Sequence, residues 1–381
     1  MATKPRSIFE EVGTTQKQVA TPGGIDARGT GARGAIRVWL MVLFGLLAVM
    51  IAVGGLTRLT DSGLSITEWR PVTGALPPLD AATWASEFAK YQASPEYQLQ
   101  NKGMSLSEFK TIYWWEWGHR QLGRVIGLVW AVGFVGFLAL RKIPAGWTGR
   151  LFFVGALGGL QGAIGWWMVS SGLEGARTDV ASYRLATHLG LAFVIFGTIT
   201  WYILKIGRRP ADLLTARRAG DPRLWTLGSV LMGVAFLQII LGALVAGIDA
   251  GRAYPDWPLM AGGILPPDMW QLQPVWRNLF ENEGTVQFIH RMSGYVLFLF
   301  GLFVWWRARA SANRRTRGAY GMMMAMLVLQ MLLGIATVMT MATPHVAIVH
   351  QIGAVALWVM VLRARFLARY PLPQSVREAR A

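Results

Sequence analysis

Eight stretches of this 381-residue chain are long and apolar enough to cross a lipid bilayer. A spanning helix needs roughly 20 mostly apolar residues, and 53% of the residues here are hydrophobic while only 15% are charged. The sequence therefore predicts an all-α membrane protein with eight transmembrane helices. The predicted spans are residues 36–57, 119–140, 150–170, 185–206, 226–247, 286–306, 319–341 and 345–367.

Charged residues are distributed unevenly over the segments that connect these spans. Basic residues collect at both ends of the chain and in alternate connections, and the other connections carry most of the acidic residues. This positive-inside pattern accounts for the formal net charge of +17 without a nucleic-acid partner. It predicts cytoplasmic termini and three short cytoplasmic loops, with the long acid-bearing loops facing outward.

The chain ends and the absence of cysteine narrow the cellular setting. Residues 1–35 include Glu10, Glu11 and Asp26, and no short apolar signal core precedes the first span; both features argue against a transit or signal peptide. We expect flexible cytoplasmic tails at 1–35 and 368–381 in a protein of the bacterial inner (cytoplasmic) membrane, while an organellar relative stays open. Without cysteine, the chain cannot form disulfides, thiolate haem ligands or cysteine-bound iron–sulfur clusters.

The two halves of the sequence repeat each other in the same order. Matched positions include Gly54 with Gly242, Asp61 with Asp249, and Gln161 with Gln330. Each half contains four spans, an even number, so both halves enter the membrane in the same orientation. The repeat predicts two pseudo-symmetric parallel four-helix bundles, residues 36–206 and 226–367, joined by a cytoplasmic linker at 207–225.

Four of the five histidines form two matched pairs. His119 and His290 stand at the head of the second span of each half, and His188 and His350 at the head of the fourth. All four are predicted within about two turns of an outer helix end, and therefore at one depth near the periplasmic face. Two imidazoles on facing helices are what a six-coordinate haem iron requires. The pattern predicts one bis-histidine haem site in each half, whereas His345 has no repeat partner and no assigned role.

The halves differ three residues before the first histidine of each pair. The first half has Glu116 and the second has Gln287. Spacing of three places the Glu116 side chain on the same helical face as His119. Because Gln can neither carry charge nor exchange a proton, we expect one haem site to react and the other to relay electrons. Pairing of Glu116 with Arg120 or Arg124 is the structural alternative.

Other polar residues near the spans have more ordinary expected roles. Arg120 and Arg291 follow their histidines directly; they suit haem propionates, with anchoring at lipid headgroups as an equal alternative. The matched residues Asp61 and Asp249 are expected to form turns. Three glutamines within spans are expected to donate hydrogen bonds between helices; they are Gln161, Gln238 and Gln330.

Three motifs together resemble the haem A synthase family. They are the run from Gly54 to Ser65, the Glu-x-x-His-Arg motif at Glu116–Arg120 and the His-Arg-x-x-Gly motif at His290–Gly294. The resemblance covers residues 36–367 and is closest to the longer bacterial and mitochondrial-like branch. It implies oxidation of the C8 methyl of haem O to a formyl group through stepwise hydroxylation, with loss of water from a gem-diol. The product would be haem A for terminal oxidases.

The resemblance also implies a role for each matched residue. His119 and His188 would flank the substrate haem O, His290 and His350 would ligate a resident haem b, and Glu116 would be the catalytic carboxylate. Some family members carry a cysteine pair in an outer loop; this chain has none, so a thiol-based redox step is not available.

The partners expected from this interpretation are the lipid bilayer, haem O and an electron acceptor that the sequence does not identify. Delivery of haem O by the farnesyltransferase that forms it, and a homo-oligomeric state, are both compatible with it.

Two other functions are compatible with parts of the sequence. A di-haem b-type cytochrome for quinol-linked electron transfer would also need two bis-histidine sites, but it would not explain why Glu116 has no counterpart. A transporter built from parallel repeats would need a different explanation for the histidines, because it would contain no stoichiometric iron.

Overall fold

The computed structural model describes residues 32–173, 175 and 177–374, which are mainly helical and contain no β-strand. The helices in chain order are α1 (Arg33–Leu59), α2 (Ala81–Gln92), α3 (Pro95–Leu99), α4 (Leu106–Ala139), α5 (Thr148–Ser170), α6 (Ser182–Ile206), α7 (Pro210–Arg218), α8 (Pro222–Gly247), α9 (Asn278–Glu281), α10 (Glu283–Ala308), α11 (Arg314–Met339) and α12 (Pro344–Arg369). Three 3₁₀ turns lie in the outer loops, at Thr73–Ala75, Ala250–Arg252 and Val275–Arg277.

Eight of these helices are long and apolar enough to span a membrane: α1, α4, α5, α6, α8, α10, α11 and α12. The shortest has 23 residues, which at about 1.5 Å per residue exceeds the roughly 30 Å hydrocarbon thickness of a bilayer. The predicted all-α membrane protein with eight spans is confirmed.

Helix α4 begins at Leu106, much earlier than the predicted start at residue 119. Ser105 and Glu108 form a reciprocal capping box at its first turn, which satisfies amide groups that would otherwise lack partners. Its outer turns bury Phe109 and Tyr113 against Trp84 of α2. The prediction that His119 lies within two turns of its helix start is therefore wrong, since this aromatic cluster extends α4 outward; for His188, His290 and His350 the prediction is confirmed.

The spanning helices pack both within and between the two halves of the chain. In the first half α1 contacts α4 and α6, and α5 contacts the same two helices; in the second half α8 and α11 both contact α10 and α12. Helix α6 also packs on α8 and α12, where Trp358 Nε1 donates a buried hydrogen bond of 3.1 Å to the Phe193 carbonyl. The two bundles at 36–206 and 226–367 stay an interpretation of these contacts.

The connection and the chain ends differ from the predicted boundaries. The predicted linker at 207–225 contains helix α7 and the first turn of α8, and the predicted tail at 368–381 includes the end of α12. Arg208 donates a 2.6 Å hydrogen bond to the Tyr370 carbonyl, which ties the linker to the last helix. The tail predictions for residues 1–31 and 375–381 lie outside the described residues.

Candidate functional site

Each repeat histidine packs against a glycine of a neighbouring span. A Cβ atom built on the glycine would lie 2.9 to 3.1 Å from the imidazole ring, which is closer than side chains normally approach. The four pairs are Gly54 with His119, Gly165 with His188, Gly242 with His290 and Gly334 with His350. Glycine at a helix contact allows this close approach, so the repeat of glycines and histidines is one structural unit used four times.

The structure brings the histidines together in the predicted pairs. His119 interacts electrostatically with His188, and His290 interacts electrostatically with His350. His345, by contrast, is exposed near the start of α12. Each half of the protein therefore presents two imidazoles from its second and fourth spans.

Three of these histidines also contact a glutamine amide from the preceding span. The amide nitrogen donates to the histidine carbonyl at 3.0 Å in Gln161 and Gln238 and at 2.8 Å in Gln330, and lies 3.1 to 3.2 Å from the imidazole Nδ1. The predicted hydrogen bonds between helices are confirmed for all three glutamines.

The chemistry around these imidazoles suits haem iron bound through Nε2. An iron-bound imidazole carries its proton on Nδ1, which needs an acceptor. The Oε1 atoms of Gln161, Gln238 and Gln330 are buried without a hydrogen-bond partner. Rotation of each amide would place Oε1 beside Nδ1 as that acceptor, in exchange for the hydrogen bond that Nε2 donates to the histidine carbonyl. The described residues contain no group of three or more His, Asp or Glu side chains suited to a bare metal ion.

The Glu116 carboxylate is buried, at 3% exposure, against the loop that follows α1. Ser65 Oγ and the Ile66 amide each donate to Oε2 at 2.7 Å, and Arg120 donates to Oε1 at 2.6 Å. The alternative pairing with Arg120 is thus present, whereas Arg124 donates to loop carbonyls. Because every contact on the two oxygens comes from a donor, the surroundings of Glu116 are built for a carboxylate.

At the matched position in the second half the side chain donates a hydrogen bond to the loop backbone, where Glu116 accepts one. Gln287, also buried, donates through Nε2 to the Tyr254 carbonyl at 3.2 Å and accepts a 3.3 Å hydrogen bond from Arg291. Tyr254 is the repeat equivalent of Ile66, 188 positions later. One loop therefore offers an amide N–H where the other offers a carbonyl, so the difference between the halves lies in the backbone as well as in the side chain.

The two arginines perform the same task in both halves. Arg120 donates to the carbonyls of Glu68 and Ile66 at 2.8 and 2.7 Å. Arg291 donates to the carbonyls at the repeat-equivalent positions 256 and 254, at 3.0 and 2.7 Å. Each arginine fastens an outer loop over the helix that carries the first histidine of its half. Contact with haem propionates stays a prediction.

Two features near this site could not be predicted from the sequence. The first is a group of ion pairs around Arg58. Arg58 forms ion pairs with Asp61 at 2.8 Å, Asp249 at 2.7 Å and Asp179 at 3.6 Å, which join the outer loops of both halves. Asp61 and Asp249 both adopt positive φ, as the predicted turns require.

Glu96 is the second such feature. It is 3% exposed, and its Oε2 has no hydrogen-bond partner. Burial, and then the charges of Glu116, Asp179 and Asp61, raise the pKa of the Glu96 carboxyl to about 8. No sequence pattern marks this residue, because the first outer loop is longer than the second and the positions matched between the halves do not extend to Glu96.

The family model of the COX15-CtaA cytochrome oxidase assembly proteins matches residues 37–362. The chain belongs to this family. Curated relatives named haem A synthase match nearly the whole chain: the protein of Dinoroseobacter shibae is 66% identical over 99% of both chains, and that of Roseobacter denitrificans is 60% identical over 98% of both. These relatives leave the transporter interpretation without support.

Proposed function

We propose that this protein converts haem O to haem A by oxidising the C8 methyl to a formyl group in its first half, residues 36–206. Membership of the COX15-CtaA family and 60–66% identity to haem A synthases make it an oxidoreductase of haem A formation. In the proposed reaction the methyl group gives four electrons to an acceptor, releases four protons and gains two hydroxyl groups from two water molecules, and the resulting gem-diol loses one water to leave the formyl group.

The observation that carries this proposal is the difference between Glu116 and Gln287 inside otherwise matched sites. Both side chains are buried three residues before a histidine, and both accept from an arginine. Only the first half supplies donors to both oxygens of an acidic side chain. A fixed negative charge stabilises a methyl carbon that becomes electron-poor as it is oxidised. One site is therefore equipped for the oxidation and the other is not.

The roles of the histidines follow from this assignment. His119 and His188 hold the substrate haem O beside Glu116, and His290 and His350 hold a resident haem b in residues 226–367. Bound haem b supplies a redox-active iron that accepts and passes on electrons. Arg120 and Arg291 keep the outer loops closed over both sites, which limits the access of water.

The cellular arrangement is part of the same proposal. The protein lies in the bacterial inner membrane with both termini cytoplasmic, the linker at 207–225 inside and the histidine pairs near the periplasmic face. Haem O reaches the first half from the farnesyltransferase that forms it or from the bilayer.

The test compares Glu116→Gln with the matched change Gln287→Glu. Glu116→Gln removes the charge at nearly constant size, so the purified variant should keep its haem content while haem A falls at least a hundredfold in mass analysis of extracted haems. Gln287→Glu places a carboxylate against the Tyr254 carbonyl and should disturb the binding of haem b. Because this variant keeps the charge of Glu116, formation of haem A should not be abolished. A fully active Glu116→Gln variant would remove Glu116 from catalysis.

A di-haem b-type cytochrome for quinol-linked electron transfer is the second candidate. Each of the four histidines packs on a glycine, which favours a haem site in each half. This candidate predicts haem B alone, at two per chain, in the extract of the purified protein.

A further inference from the structure

Three of the four histidine–glycine contacts carry a glutamine one helical turn before the glycine. Gln161 precedes Gly165, Gln238 precedes Gly242 and Gln330 precedes Gly334 by four residues. The fourth contact, between Gly54 and His119, has Met50 at this position. Met50 and Gln238 are 188 positions apart, so they occupy the same place in the repeat. The exception therefore falls in the half of the protein that contains Glu116.

A methionine cannot replace the glutamine at this position. The Met50 thioether has no hydrogen to donate and is a weak acceptor. Its Cε lies towards Gly123 of α4, 3.4 Å from where a Cβ atom on that glycine would be. Among the residues that the structure describes, no glutamine amide contacts the His119 ring or its carbonyl.

The orientation of the His119 ring differs accordingly. In His188, His290 and His350 the atom closest to a Cβ built on the glycine is Cε1, followed by Nδ1. In His119 the atom closest to a Cβ built on Gly54 is Nε2 at 3.1 Å, followed by Cδ2 at 3.4 Å. The His119 ring thus presents its opposite edge to the neighbouring helix. An amide beside Nδ1 distinguishes the nitrogen edge of an imidazole from the carbon edge, and His119 has no such group.

We propose that Gln161, Gln238 and Gln330 are positioning residues that fix three imidazoles for iron ligation, and that Met50 leaves His119 free to turn and release the iron. This inference rests on the proposed function, because a synthase must let haem O enter and haem A leave, while its resident haem stays bound. Loss of a hydrogen-bonding partner behind a metal-bound histidine typically weakens metal binding 10–100-fold. His119, on the same helix as Glu116, releases the haem first, and His188, supported by Gln161, releases it last.

The experiment measures haem release from the purified, haem-loaded protein in detergent. Apomyoglobin in excess captures the released haem, and extraction at each time point distinguishes haem B from haem O and haem A. Met50→Gln supplies the missing amide and should slow release of haem O and haem A about tenfold. Gln238→Met, the matched change in the other half, should accelerate release of haem B about tenfold and weaken its low-spin ferric signal in electron paramagnetic resonance.

Two controls separate this effect from changes in packing. Met50→Leu adds no amide and should release haem at the wild-type rate. Gln161→Met removes the amide from His188 and should accelerate release of haem O and haem A further, which tests the glutamine of the first half even where Met50→Gln does not accumulate. Unchanged release in Met50→Gln would refute the role of Met50, and unchanged haem B release in Gln238→Met would refute the role of the glutamines. Failure of the proposed function has a different signature: wild-type protein that binds haem in both halves but forms no haem A, with the release rates still ordered as above.

Discussion

Replacement of Glu96 by Gln should make the protein less sensitive to alkaline pH. Burial comes first among the causes that raise the pKa of this carboxyl from 4.5 to about 8, and the charges of Glu116, Asp179 and Asp61 add to it. Between these two values the folded protein keeps a proton that the unfolded chain loses. The free energy of unfolding therefore falls as pH rises from about 4.5 to about 8. The stabilisation that protonated Glu96 contributes is complete only below this range.

The size of the effect follows from the same values. At about 1.4 kcal/mol for each pH unit, the complete loss above pH 8 is on the order of 5 kcal/mol. Between pH 5.5 and pH 8 the loss is about 3 kcal/mol. Glu96→Gln keeps the size of the side chain and removes its titration, so the variant should become more stable than the wild type by about that amount over this range.

The assay is denaturant unfolding of the protein in detergent micelles, followed by circular dichroism at several pH values. Glu96→Asp retains an ionisable carboxyl and serves as the matched control, because it should keep a falling stability with rising pH. The difference between the curves reports the titration of Glu96 together with its electrostatic coupling to Glu116, Asp179 and Asp61. Parallel curves for wild type and Glu96→Gln from pH 5.5 to pH 8 would refute the reasoning.

Two further substitutions test the packing of the two sites. Ser65→Ala removes the 2.7 Å hydrogen bond to Glu116. A hydrogen bond to a charged acceptor contributes about 1.5–3 kcal/mol, so the rate of haem A formation should fall at least tenfold while the haem B content of the same extract stays constant. An unchanged rate would show that Glu116 does not depend on this donor. Gly242→Ala places a methyl group 3.0 Å from His290 Cε1 and should displace the ring, so that the absorption spectrum loses the low-spin haem b bands; an unaltered spectrum would contradict the close contact seen here.

Much of the fold could be predicted because hydrophobic length and charge distribution act directly on membrane helices. Eight apolar stretches gave eight helices, and the glycines and glutamines matched between the halves proved to contact the histidines. The start of α4 could not be found in this way. Leu106–Trp115 is too polar for a span, and the segment is helical because Ser105 caps it and the aromatic cluster around Phe109 packs on it.

The parts of the site that sequence reasoning missed depend on contacts between distant segments. Arg58 joins Asp61 to Asp179 and Asp249, and nothing local to these residues indicates that they meet. The repeat pointed to Glu116 against Gln287, but the exchange of an amide N–H for a carbonyl beside them is a property of the folded loops. Met50 could be recognised as an exception to the glutamine pattern only once the contacts of the other three histidines were known.

The most direct test is the haem content of the purified wild-type protein and of His350→Ala, measured by acid–acetone extraction and mass analysis. We expect haem B together with haem O or haem A in the wild type, about one of each per chain, because each half binds one haem. In His350→Ala we expect loss of haem B while haem O stays bound. Haem B alone at two per chain, or equal loss of both haems in the variant, would contradict the assignment of a substrate site to the first half and a cofactor site to the second.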